Sequence, residues 1–433
     1  MTRTISKIAI CFLFIFFILM PSFLVEGHSY VVQESPIPNS ILETSPSEIS
    51  IQFNSKVDKN FSLKVLDDEE QEIEIKSAMI IDDQKTITIQ IPQLPNGQFK
   101  VAYYVISSND GHAMEGSYLF HVKWKVPPIK NNQYVKEETN GGIINSNEPK
   151  YPQEGIVDLA EKKKIINAAS IYVAKASYYL GFLLVIGWLM LWQIIKTYSF
   201  EVRKKYLFYG MLFQFLHLIG LIAVLLVQMN VFTMHGISFE FDFPLETNFG
   251  KLWIASLVLT LIGFLFLFKN RVFDYFWILS IGVIKSLSGH SQEFEPAVLL
   301  AGLNSLHLFA ASFWAAGIGF IVLFWRKQRL YVKYFLPIFS KGALLSMILL
   351  TTTGCISTYL YLPNKEAILT DWGIALLLKV LVVLVVMIVG AVIRRKMKKG
   401  KVADLDSIMK FDMGLLLILI ILISILTSLN PLP

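Results

Sequence analysis

Residues 25–32 read Val25-Glu26-Gly27-His28-Ser29-Tyr30-Val31-Val32, VEGHSYVV in one-letter code. The chain changes character at this junction. Before it, IAICFLFIFFILM (8–20) is an unbroken apolar run behind Arg3 and Lys7, and Pro21 ends it. A basic start, a short apolar run and modest residues at Val25 and Gly27 have the form of a secretory signal cleaved after Gly27. The alternative is an uncleaved first transmembrane helix. Cleavage would make His28 the first residue of the mature protein, outside the membrane. After the junction the chain turns polar and alternating. EISIQF (48–53), FSLKVLD (61–67), EIEIKS (72–77), TITIQI (86–91), QFKVAYYVIS (98–107) and GSYLFHVKW (116–124) read as short strands. Turn-forming stretches separate them. This spacing predicts an antiparallel, all-β Ig-like sandwich over 28–126.

A Pro-, Asn- and Gly-containing stretch without periodicity follows, and 127–160 reads as a flexible linker. The remainder, 161–433, is almost entirely apolar runs. Over the whole chain 54% of the 433 residues are hydrophobic and only 17% are charged. That composition excludes an ordinary soluble enzyme and fits a polytopic membrane protein set in a lipid bilayer. Eight helices are predicted, at about 166–195, 206–233, 250–268, 272–289, 297–325, 335–361, 371–393 and 411–430. The loops 196–205, 269–271, 326–333 and 394–410 are basic, whereas 234–251, 289–296 and 361–371 are acidic or near neutral. By the positive-inside rule this alternation puts the basic loops in the cytoplasm, and the β-domain and both ends of the helical domain outside. The net charge of +6 then belongs to cytoplasmic loops, and no nucleic-acid partner is expected. The two cysteines, Cys11 and Cys355, sit in apolar runs, which argues against a disulfide framework.

The seven histidines carry the chemical signal. In SSNDGHAMEGSYLF (107–120), Asp110 and His112 are two residues apart and project to one face of an extended segment. They suit a metal, or equally a solvated hairpin turned at Asp110-Gly111. A mature amino-terminal His28 would add its α-amine and its Nδ1. Three nitrogens and one carboxylate oxygen make the tetragonal N,O set that Cu(II) prefers. His121 falls on the other face from His112 and reads as a structural or surface histidine. In the apolar half, His217, His235, His290 and His307 are suspects because ionisable groups at membrane depth are costly. Met229 and Met234 place thioethers, suited to Cu(I), beside His235. Ordinary packing of these methionines and a plain loop histidine remain the alternative.

HSYVVQESPIPNSILETSPSEISIQFN (28–54) and YYVISSNDGHAMEGSYLFHV (103–122) resemble the two signatures of the CopC family of exported copper-binding proteins. That resemblance implies a Cu(II) site at His28, Asp110 and His112. A second, Met-rich site known in the family is not expected, since the domain holds only Met79 and Met114. SGHS (288–291), NSLHLFAASFWAAGIGFIVLF (304–324) and LLLKVLVVLVVMIVGAVIRR (376–395) resemble the CopD family of membrane copper-resistance proteins, and mark His290, His307, Trp314 and Lys379. The two together are similar to CopC/CopD fusions of the YcnJ type. The resemblance implies a bacterial plasma-membrane protein, not an enzyme. Its outer domain would capture Cu(II) and deliver it to a transmembrane path through His290, His307, His235, Met234 and His217. Cu(I) is the form expected in the membrane part, with an extracellular copper chaperone or reductase as a further partner. Copper resistance or homeostasis without net import is the nearest alternative. A haem-binding membrane metal reductase with His217, His290 and His307 as axial ligands is another. A histidine-brace oxygenase is disfavoured, because Asp110 would fill a coordination position that chemistry needs open.

Overall fold

The computed structural model describes residues 31–81, 84–108, 111, 113–123, 154–195, 199–235, 237, 247–288, 296–361, 366–399 and 405–429. His28, Asp110, His112 and His290 lie outside them, as do the stretch read as a signal and most of the stretch read as a linker.

Eight strands build the first unit: β1 (Val31–Ser35), β2 (Ile41–Leu42), β3 (Glu48–Phe53), β4 (Val57–Leu66), β5 (Ser77–Ile81), β6 (Thr86–Gln90), β7 (Gly97–Ser107) and β8 (Ala113–Val122). They form two four-stranded sheets, ordered β1-β3-β6-β5 and β2-β8-β7-β4. Pairing is antiparallel except for β2 against β8. This is the sandwich the alternation predicts. Ile49, Ile51, Phe53, Val65, Ile87, Ile89, Val101, Val105 and Phe120 fill the space between the sheets. They sit at every second position of their strands, as one buried face requires.

One strand lies elsewhere than expected. EIEIKS makes an isolated bridge, Leu66 to Glu72, and enters a sheet only at its last residue, Ser77, where β5 begins. Asp67 shapes the turn that brings Glu72 back beside Leu66, its Oδ1 accepting the backbone N–H groups of Glu69 and Gln71. Ile73 and Ile75 still pack against the sandwich core. The alternation therefore reported burial correctly, but not sheet membership.

Eight long helices follow: α1 (Glu154–Ile194), α2 (Phe200–Met234), α3 (Asn248–Phe266), α4 (Arg271–Leu287), α5 (Ala297–Phe324), α6 (Arg329–Tyr361), α7 (Asp371–Lys398) and α8 (Leu405–Leu426). Each predicted helix has its counterpart. The first begins at Glu154, inside the stretch read as linker. Seven of the eight are long and apolar enough to cross a membrane. The exception, α4, has 17 residues and carries Arg271, Asp274 and Lys285. Its buried face holds Asp274, Trp277, Ile278 and Ile281. The Asp274 carboxylate accepts from Gln193 Nε2 at 2.7 Å and from the Phe268 backbone N–H at 2.9 Å. A buried carboxylate is tolerable when hydrogen-bonded in this way.

Helix α1 is central, packed against α2, α5 and α8. Small residues permit the approach. A Cβ on Gly187 would run into the Ser312 backbone of α5, and one on Gly220 into the Tyr178 backbone of α1. Close backbone contact through small residues is how helices associate in lipid, where burial from water supplies no drive. Trp188 and Tyr206 lock α1 to α2 reciprocally, each side chain donating to the other's carbonyl at 2.9 and 2.6 Å. At the far end, Lys175 donates to Thr427 O and Ser428 Oγ, both at 2.8 Å. The end of α8 therefore closes beside the start of the apolar part of α1.

Candidate metal centre

The hairpin that carries Asp110 and His112 is seated on the helices. Tyr104 and Ile106 of β7 and Ala113 of β8 form one apolar cluster with Phe232 at the end of α2, Ile237, and Phe249 and Trp253 of α3. Tyr104 and Ile106 point away from the sandwich core, whereas their neighbours Tyr103 and Val105 point into it. The Asn248 N–H donates to Ser108 O at 3.3 Å across the seam. Gly111 stands between the two predicted ligands with φ +75°, a left-handed conformation that favours glycine. Its Cα lies against the Phe249 ring, so closely that an added Cβ would be 2.6 Å from Cγ. Sequence reasoning missed this face. The signal was available: VAYYVIS is apolar on both of its faces, and a strand that should have one wet face then presents a docking patch.

Beside this seam, His235 caps α2. Its ring stacks on Tyr104 with centroids 3.8 Å apart and an interplanar angle of 13°. Its Nδ1 is 2.8 Å from Val231 O, and its Nε2 is 3.9 Å from Glu115 Oε2. A carbonyl only accepts, so Nδ1 carries the proton and donates it. Tyr104 and Glu115 are direct cross-strand partners, which places both on the face turned towards the helices. Burial, and then the Glu115 charge, push the Tyr104 phenol up to about 12, so it stays neutral at physiological pH. Met234 is 57% exposed at the same helix end.

Deeper in the helical domain, two histidines are held by the same device. His217 Nε2 lies 3.2 Å from Thr260 Oγ1, and Thr260 Oγ1 donates its own proton to Ser256 O at 2.7 Å. The imidazole must therefore donate at Nε2, which leaves Nδ1 as a bare lone pair. That Nδ1 is buried without a hydrogen-bond partner among the described residues. Tyr178, Phe182 and Trp277 enclose the ring. His307 Nδ1 lies 2.9 Å from Thr353 Oγ1, which gives its proton to Leu349 O at 2.6 Å. His307 accordingly donates at Nδ1 and presents a bare Nε2. Lys379 lies on α7, and Trp314 is buried in the helical core. A histidine that donates one ring nitrogen to a fixed acceptor is oriented to ligate through the other.

These groups are not gathered into one centre. His217 has its neighbours on α1, α3 and α4, and His307 has its partner on α6. Among the described residues, no group of three His, Cys, Asp or Glu is placed to hold a metal ion. His121 pairs within the sheet, opposite Ile41 and Gln98. Met79 is exposed and Met114 buried.

The CopC domain family matches residues 31–123, and the copper resistance protein D family matches 333–427. The chain is 22% identical over 450 residues to the copper transport protein CutJ of Bacillus subtilis (strain 168), a match covering 97% of this chain and 77% of that protein. Among solved structures, CopC from Methylosinus trichosporium OB3b is 29% identical, with 25% of this chain and all of that chain covered and a TM-score of 0.21. PcoC, a methionine-rich copper resistance protein from Escherichia coli, is 23% identical, with 22% of this chain and all of that chain covered and a TM-score of 0.21. Two family models thus match this chain, CopC over the β-sandwich and copper resistance protein D over the last part of the helical bundle, and most of the chain is similar to a copper transport protein.

Proposed function

We propose that this protein acquires copper: the outer sandwich captures Cu(II) and passes it to the helical domain for import. The capture site is His28, through its α-amine and Nδ1, with Asp110 and His112. The protein sits in a bacterial plasma membrane with the sandwich outside, in keeping with the basic and acidic alternation of its loops. The reading is carried by one observation. Residues flanking two of the three proposed ligands, Ser108, Gly111 and Ala113, are packed onto the ends of α2 and α3. A capture loop held at a helix end keeps its cargo at high effective concentration beside the next ligands.

The onward path is assigned to His235 and Met234 at the surface, to His290, and to His307 and His217 within the bundle. His217 and His307 would each offer one lone-pair nitrogen, as borderline and soft copper ions accept. The protein catalyses no reaction of its own in this account, and an extracellular reductase or chaperone would supply or reduce the ion. Cell copper at limiting supply, measured with and without the gene, tests the reading. Lower copper in its absence is expected. Equal copper contents would refute import and leave a role in resistance or homeostasis.

A further inference from the structure

We propose that His235 and Glu115 form a second copper-binding site across the domain seam, distinct from the capture site and filled from it. The proposal rests on the capture-and-delivery reading only for the source of the ion. The site itself stands on geometry.

The His235 ring is fixed twice. Tyr104 lies flat against one of its faces, and Val231 O takes the Nδ1 proton. What remains is Nε2, 3.9 Å from the Glu115 carboxylate. A histidine that commits one ring nitrogen to a carbonyl is oriented to ligate through the other, and the carboxylate oxygen beside it is a second donor. A divalent cation fits between the two. Bonds of about 2.0–2.2 Å to nitrogen and oxygen span a gap of about 4 Å when the two ligands lie nearly opposite each other. Glu115 has the freedom to close to a bent arrangement, since its side chain is 72% exposed and that of His235 is 35% exposed. Exposure also leaves room for waters to complete the coordination shell.

The position suits a transfer site. Glu115 is three residues beyond His112 on the same hairpin, at most about 10 Å along a strand. His235 belongs to the helices. The pair therefore exists only while the sandwich is docked, and the ion would cross from one domain to the other by exchanging ligands one at a time. Two protein ligands hold copper less tightly than the four donors of the capture site, as a site that must release its cargo requires. A donor set of one imidazole and one carboxylate selects a borderline divalent ion, Cu(II) ahead of Cu(I).

The test is a Cu(II) titration of the purified full-length protein in nanodiscs, read by electron paramagnetic resonance and bound-metal stoichiometry. The wild type should bind two equivalents, the weaker with a single nitrogen donor. His235→Gln and Glu115→Gln should each retain the tight equivalent and weaken the second by tenfold or more. Glu115 is an exposed strand residue, so its variant keeps the test open if His235→Gln disturbs the helix end. A His28→Ala/His112→Ala background should lose the tight equivalent and keep the weak one. A single equivalent in the wild type, or a second equivalent unchanged in Glu115→Gln, overturns the proposal. Because the titration does not depend on import, equal cell copper with and without the gene would refute the import reading and leave this one standing.

Discussion

Replacing Gly111 by alanine probes the docked hairpin. Two costs arise. A non-glycine residue at φ +75° loses about 1–2 kcal/mol, whether or not the sandwich is docked. The second cost exists only in the docked state. The new Cβ would lie 2.6, 2.8 and 2.9 Å from Cγ, Cδ2 and Cδ1 of Phe249, where carbon contacts settle at about 3.5–4.0 Å. The ring has little room to retreat, since Phe249 is 1% exposed and packs edge-on against Trp253 and Phe232. Overpacking of this kind costs about 1–3 kcal/mol, so the ratio of docked to undocked protein should fall about 5- to 150-fold. Hydrogen–deuterium exchange reports it directly. The amide of Asn248, bonded to Ser108 O, and the segment 104–106 should exchange faster, while β3 and β6 in the other sheet stay protected. Cell copper uptake should drop. Removing the ring tests the cause: in a Phe249→Ala background, Gly111→Ala should add only its backbone strain, a non-additivity of about 1–3 kcal/mol. Unchanged exchange at Asn248 in Gly111→Ala, or full additivity with Phe249→Ala, would refute the reasoning.

The remaining predictions concern single side chains. Thr353→Val removes the acceptor that orients His307 and should lower copper uptake by about 10–100-fold, the usual effect of losing an outer-shell partner; uptake at the wild-type rate would separate His307 from the path. Thr260→Val leaves the His217 Nε2–H unpaired beside an already unpaired Nδ1, and should destabilise the helical domain by about 1–3 kcal/mol, seen as a lower midpoint of thermal unfolding. Burial raises the Glu34 carboxyl above its ordinary range, more than the Tyr103 hydrogen bond lowers it. A raised acid disfavours the folded state once it ionises, so Glu34→Gln should stabilise the sandwich at pH 7, with the gain vanishing below about pH 4, where the carboxyl is protonated in both states. Thermal unfolding at the two pH values checks this.

The elements themselves were legible in the sequence for clear reasons. Alternation at period two exposes a strand with one buried face, and the sandwich core follows it from Ile49 to Phe120. Long apolar runs punctuated by charge located all eight helices. The failures have equally physical causes. EIEIKS alternates as a strand does, yet it crosses from one sheet to the other, its Ile73 N–H bonding Val65 O of β4 and its Lys76 N–H bonding Gln90 O of β6. Tyr104 and Ile106 looked like ordinary strand residues, and only the second domain shows what covers them. The threonines that fix His217 and His307 are 43 and 46 residues away in the chain. Nothing local marks them, because helix packing chose those partners. The histidines stood out as costly membrane residues, but which nitrogen each presents had to come from the hydrogen-bond geometry.

The central claim is that a mature chain beginning at His28 holds Cu(II) on its first residue. Intact mass and copper content, measured together on protein extracted from its native membrane and followed by paramagnetic resonance of the bound ion, test it most directly. The account predicts an amino terminus of His28-Ser29-Tyr30, with tightly bound Cu(II) coupled to three nitrogens. A chain starting at any other residue, or one starting at His28 whose copper signal is unchanged when the α-amine is acetylated, would contradict it.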